Sequence, residues 1–148
     1  MRQMVLTLFV CLSFVTIRAD EAVDKEMKLM EGEWQMVSGE REGNMFPDEV
    51  VKSAKRVTKE GETTTEINGM VVLKAKFKVD ASKKPKNIDY EITDGPNKGK
   101  SMIGIYELKG DDFKACMVMS DQKRPTDFAT KEGDGRTLTV WKRVKKEK

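Results

Sequence analysis

Gly32-Glu33-Trp34-Gln35-Met36-Val37 is the stretch that decides how the chain folds. Before it, Asp20 to Glu31 is polar and helix-friendly, with Val23, Met27 and Met30 at i, i+4 and i+7. That segment reads as a short amphipathic lead-in over one end of the fold, with a frayed terminus as the alternative. From Trp34 onward the pattern changes. Trp34, Met36 and Ser38 alternate with Gln35, Val37 and Gly39, the period of two that a strand with two unlike faces requires. A glycine two residues before a lone tryptophan, at the head of a first strand, places a large ring where the chain later has to close.

Downstream, the chain is a series of short strands. Arg41-Glu42-Gly43-Asn44 reads as loop, and Pro47 opens a short helix over 48–53, with acids in its first turn. Lys55 to Thr58 predicts a second strand and Thr63 to Ile67 a β-branched third, with Glu60-Gly61-Glu62 turning between them. Asn68-Gly69 is a strong hairpin signal, because both residues accept positive φ. Leu73, Ala75, Phe77 and Val79 then alternate with Lys74, Lys76 and Lys78. Ile88, Tyr90 and Ile92 do the same in a fifth strand. Ser101 to Leu108 is apolar on both faces and carries Gly104, which suggests a bulge or bend. In the seventh strand Phe113, Ala115, Met117 and Met119 face away from Lys114, Cys116 and Val118. Residues 120–135 form a long loop, with 126–130 either loop or a short extra strand, and 137–144 is the last strand.

The strands number eight, or nine if 126–130 is one of them, and their short connections are those of an up-and-down meander. A flat meander leaves two unpaired edges, and closure into a barrel removes them. With an even count the last strand runs antiparallel to the first, so its end lies beside the first strand's start. That places Arg143 within stacking reach of Trp34, with Gly32, Trp34 and Arg143 as structural barrel closure. The predicted fold is therefore all-β: an eight-stranded, alternatively nine-stranded, antiparallel barrel with a short N-terminal helix.

The same residues carry a resemblance. Gly32-x-Trp34 on the first strand, with a basic residue ending the last, resembles the lipocalin and calycin pattern, and Thr126-Asp127-Phe128 is similar to a second lipocalin signature. One strand follows that segment here, where the pattern has two. More closely, the chain resembles an uncharacterised family of exported bacterial lipocalin-like domains. The supporting segments are Ser38-Gly39-Glu40, Lys83 to Asp89, Gly95 to Lys100, Gly104 to Leu108 and Arg124-Pro125-Thr126. The resemblance implies a fold and export, and no chemistry.

Composition sets further bounds. At 148 residues the chain is one domain at most. Met4 to Ile17 is an apolar run behind Arg2, followed by Arg18-Ala19, which reads as a secretory signal peptide over 1–19, cleaved after Ala19 or Ala22. The mature domain, 20–148, is then expected to be periplasmic or extracellular. Removing 1–19 leaves 26 basic against 25 acidic residues, interspersed, with no nucleic-acid footprint. Cys11 leaves too, so Cys116 stands alone and no intramolecular disulfide is available. The core must hold the domain, which roughly 125 residues can do. No histidine occurs, which removes the commonest general base and metal ligand together.

Six inward positions are the expected lining of a ligand cavity: Leu73, Phe77, Ile88, Tyr90, Phe113 and Met117. The expected ligand is a small apolar or amphipathic molecule. The alternative is a filled barrel that engages proteins or the envelope through its surface. Lys74, Lys76 and Lys78 form a stripe suited to weak contact with an anionic surface, or simply a solvated face. Cys116, Met117 and Met119 have soft-metal chemistry but point to opposite faces, so no metal or other cofactor is expected. No paired carboxylates, nucleophile–base pair or phosphate loop stands out, so no catalytic residue and no enzymatic activity are expected. The protein is expected to be a monomer.

Overall fold

The computed structural model describes the backbone of residues 15–147 and the side chains of 21–147. Residues 1–14 of the expected leader lie outside these residues, and 15–19 fall in the first helix. Among the described residues, no helix is long and apolar enough to cross a membrane.

A helix, α1 (Val15–Leu29), leads into β1 (Gly32–Arg41). The chain continues through β2 (Asn44–Met45), α2 (Asp48–Ser53), β3 (Lys55–Lys59), β4 (Glu62–Ile67), β5 (Met70–Asp80), β6 (Lys86–Asp94), β7 (Ser101–Lys109), β8 (Asp112–Met119) and β9 (Thr137–Arg143). Every pairing is antiparallel, and β1 pairs with both β3 and β9. Eight strands therefore close a barrel, with β2 as a two-residue spur on β1. The closed all-β architecture read from the sequence is the one observed.

The ninth strand is not where the sequence placed it. Residues 126–130 are loop, and the extra strand comes from the segment read as loop after Arg41, where Glu42-Gly43 (φ 49° and 83°) makes a tight turn pairing Arg41 with Asn44. Asn68-Gly69 adopts the same double positive φ, 53° and 77°, as its chemistry demands.

Two expectations about faces are corrected. A register shift between Met36 and Ser38 inverts the alternation of β1. Trp34 and Met36 point inward, but after the shift Gly39, not Ser38, is the buried residue, and the Phe46 ring packs directly on it. Gly104 makes no bulge: the β6–β7 and β7–β8 registers run through it unbroken. It is small because the Cys116 carbonyl and Met117 sulfur occupy the place of a side chain.

The core is the barrel interior, joining Trp34, Met36, Phe77, Ile88, Tyr90, Tyr106, Phe113, Met117 and Trp141. A second buried group, Ile105, Cys116, Val118 and Pro125, includes the outward residues of β7 and β8, with Pro125 contributed by the loop after β8. Arg124 pins that loop, donating to the Gly104 carbonyl at 2.8 Å and pairing with Asp89 at 2.8 Å. This explains why Ser101 to Leu108 is apolar on both faces.

Candidate functional site

The barrel has two unlike ends. At one, α1 lies across the opening with Val23 and Met27 packed on the core and Met30 buried. The Trp34 indole donates to the Met30 carbonyl at 3.0 Å. Arg143, register partner of Trp34, sets its guanidinium 4.2 Å from the indole ring. It donates Nη2 to the Leu29 carbonyl at 2.6 Å, Nη1 to the Glu31 carbonyl and Nε to Asp111 at 3.1 Å. Gly32 has φ 129°, and a Cβ there would meet Arg143 Nη1 at 2.8 Å. Glycine is favoured there by its conformation, and any Cβ would push the Arg143 guanidinium from its place. Gly32, Trp34 and Arg143 thus meet at this end of the barrel.

Glu26 of α1 completes this end. It accepts from Tyr106 Oη at 2.9 Å and pairs with Lys86 at 2.8 Å. Burial, reinforced by the bond to and charge of Glu26, holds the Tyr106 hydroxyl far above its ordinary pKa.

The other end carries α2 and partly buried apolar side chains, Phe46, Val51, Ile67, Leu73 and Met102. The α2 helix is short and has no side-chain cap at its start. Gln35 tethers its other end, donating to the carbonyls of Val51, Lys52 and Ala54 at 3.0 to 3.2 Å. Backbone bonds also join the Phe46 amide to the Gly39 carbonyl at 2.8 Å and the Met36 amide to the Ala54 carbonyl at 3.2 Å, and Thr130, Gly135 and Arg136 bond to Glu40, Glu42 and Gly43 beside it. The side chains over the opening itself meet by apolar contact.

Between the ends, the interior has a polar wall. Arg56, Thr58, Thr63 and Thr65 are the buried polar residues, from the inward faces of β3 and β4. Arg56 is 4% exposed and opposes Trp34 across β1–β3. Its guanidinium lies 4.5 Å from the Phe113 ring centre and 5.9 Å from that of Tyr90. Its Nε donates to Thr58 Oγ1 at 3.3 Å, and Thr58 is joined to Thr63 at 3.0 Å. Among the described residues, no carboxylate pairs with Arg56 and its two terminal nitrogens make no hydrogen bond. Tyr90 Oη, also buried, is without any hydrogen-bond partner.

Five of the six expected lining residues, Phe77, Ile88, Tyr90, Phe113 and Met117, are buried in the interior cluster, and Leu73 packs on it from the rim. Phe77 and Tyr90 meet edge to face at 6.4 Å. These side chains pack on one another. The clearest clefts open on the outer surface instead. One of about 400 Å³ crosses β1, β3 and β4, between Glu33, Gln35, Lys55, Val57 and Glu66.

Arg56 is the residue that sequence reasoning missed. In Lys55-Arg56-Val57-Thr58-Lys59 the one aliphatic residue, Val57, invites the inward assignment, yet it is half exposed. The inward set is Arg56 and Thr58, and the only signal for it was the buried parity of the neighbouring strands.

The remaining candidates lie outside the interior. Lys74, Lys76 and Lys78 oppose Asp94, Glu91 and Asp89 on β6, and Lys74 pairs with Glu62 at 3.1 Å. Cys116 lies on the face opposite to Met117, and burial pushes its thiol up to about 11. Among the described residues no group of three or more His, Cys, Asp or Glu side chains is placed to hold a metal. No protein-family model, curated protein or solved structure matches the chain.

Proposed function

We propose that this protein is an exported, lipocalin-like binding module that takes a small apolar or amphipathic molecule into its barrel, and that it is not an enzyme. The observation that carries this reading is the asymmetry of the two ends. The end at Trp34 is locked by directed hydrogen bonds from Arg143, Trp34 and Tyr106 to α1. The rim at Phe46, Ile67, Leu73 and Met102 is held largely by apolar contact under a six-residue helix. Apolar contact is non-directional and can be exchanged for a ligand's own apolar surface. Met36, Met102 and Met117 supply unbranched side chains that repack around an incoming chain.

Displacement of a fluorescent apolar probe, with mass spectrometry of gently purified protein, tests the reading. Saturable binding that falls when Leu73→Arg blocks the rim, and survives Val57→Arg on the outer groove, is the expected result. No co-purified molecule and no probe binding across a lipid panel would defeat it. A second reading, a filled barrel that engages a protein or envelope surface, is favoured by the 400 Å³ outer groove and the exposed Val57 and Val144 beside it. Probe binding lost in Val57→Arg and kept in Leu73→Arg would select it.

A further inference from the structure

A cleft on the outside of the barrel has apolar walls and a cationic rim. We propose that this cleft, between the β5–β6 connection, the end of β7 and the loop after β8, docks an acidic peptide segment of a partner protein. One aromatic or aliphatic side chain of that segment sits between Pro85, Leu108 and Phe128. The site lies outside the barrel and does not depend on what the interior holds.

Three stretches far apart in sequence build the cleft, whose volume is about 320 Å³. Lys83, Lys84 and Pro85 come from the β5–β6 connection, Leu108 and Lys109 from the end of β7, and Phe128 from the loop. That loop is held on both sides of Phe128. Arg124 is fixed to Asp89 and to the Gly104 carbonyl, and Asp127 pairs with Arg136 at 2.7 Å. The pinned loop presents a half-buried aromatic ring on the outer surface, with Lys114 Nζ 4.3 Å from its centre.

The charges around the cleft do not cancel. Lys83, Lys84, Lys86 and Lys109 line it, and Lys114 stands behind Phe128. Three carboxylates answer them. Glu26 takes Lys86 at 2.8 Å, and Glu107 is shared between Lys109 at 3.4 Å and Lys114 at 3.9 Å. Asp80, close to Lys83, is already bound by the Ser82 amide and hydroxyl. Asp112, the register partner of Lys109, pairs instead with Lys142 at 3.0 Å. Five lysines against three carboxylates leave two positive charges at one spot, on a chain whose net charge is +3 over 148 residues. Lys83 and Lys84 are exposed and, among the described residues, belong to no ion pair.

Walls and rim together select the partner. Ammonium groups on flexible stems act as separate point charges, which suit carboxylates spaced along a chain better than one planar anion. The apolar walls ask for an apolar group beside those charges, which a purely charged polymer such as inorganic polyphosphate lacks. An acidic segment with one apolar side chain meets both demands, and attraction of this kind steers encounter and fixes register.

Fluorescence anisotropy with a labelled peptide probe, a tyrosine flanked on each side by a pair of glutamates, tests this on the intact protein. Binding should be saturable at about 50 mM salt and at least about fivefold weaker at about 300 mM, since exposed charges are screened. Replacing the tyrosine of the probe by serine should weaken it about threefold to tenfold, the share of the apolar walls. Lys83→Glu with Lys84→Glu should weaken it at least about tenfold. Lys98→Glu with Lys100→Glu, an equal change of net charge on the β6–β7 turn at the other end of the barrel, should leave it within about twofold. Phe128→Ala should cost about threefold to tenfold. If that variant loosens the loop, the exposed lysine pairs carry the test. Absence of saturable binding, or equal losses in the two lysine pairs, would overturn the proposal. Inorganic polyphosphate that binds more tightly than the probe would overturn the peptide assignment.

Discussion

The closed end and the interior of the barrel each contain one arginine, one tyrosine and an aromatic surface, and they treat them oppositely. Trp34 stands between the two, paired with Arg143 on β9 and with Arg56 on β3. At the closed end Arg143 uses Nε, Nη1 and Nη2, and Tyr106 meets Glu26. In the interior Arg56 uses Nε alone, and the Tyr90 hydroxyl has no hydrogen-bond partner. A protein satisfies its buried polar groups where they serve the fold. The same two residue types, satisfied in one place and left with spare hydrogen-bonding capacity in the other, separate the finished closed end from the interior that the proposed binding reading uses.

The largest effect is expected at Trp34 itself. Trp34→Ala removes the ring on which Arg143 stacks and should destabilise the barrel by about 3–5 kcal/mol in urea unfolding. A loss below about 1 kcal/mol would mean that closure is carried elsewhere. Next in size is Arg143→Met. It strips the Leu29 and Glu31 carbonyls of their donor and leaves Asp111 without that partner, and should cost about 2–3 kcal/mol. Amide exchange in α1 should rise first, because that helix hangs on those bonds; uniform exchange would contradict the closed-end role.

Tyr106 makes the closed end sensitive to alkaline pH. Its folded pKa is raised, so the stability it contributes is full below the ordinary tyrosine value of about 10 and is lost as pH climbs above it. Tyr106→Phe should cost about 1 kcal/mol at neutral pH. It should leave the native alkaline titration at 295 nm unchanged, since the Tyr106 phenolate appears only on unfolding. A phenolate signal lost from the native titration in that variant would show the hydroxyl to be open to solvent and not held by Glu26.

Much of the fold was legible because strand chemistry is local. Asn68-Gly69 had to turn, and the lysine alternation of β5 had to put Phe77 and Val79 inside. Strand parity was enough to bring Arg143 to Trp34. What stayed hidden depended on neighbours. The slip in β1 at Met36–Ser38 is set by pairing with β9, not by its own residues. The Glu42-Gly43 turn carries a glutamate at positive φ, which its sequence does not advertise. The inward aspect of Gly104 is a matter of Met117 and Cys116, a strand away. Arg56 was hidden for a different reason. Local polarity on β3 argues for Val57 inside and Arg56 outside, and the barrel's continuous register overrules it. Violations of local pattern of this kind are where function is expected to reside.

The two arginines beside Trp34 do different jobs, and urea unfolding of Arg56→Met alongside Arg143→Met separates them. Replacing an uncompensated buried charge by an apolar side chain of similar length should leave stability within about 1 kcal/mol of wild type, or raise it. A loss in Arg56→Met as large as that in Arg143→Met would contradict the claim and make Arg56 one more strut of the fold.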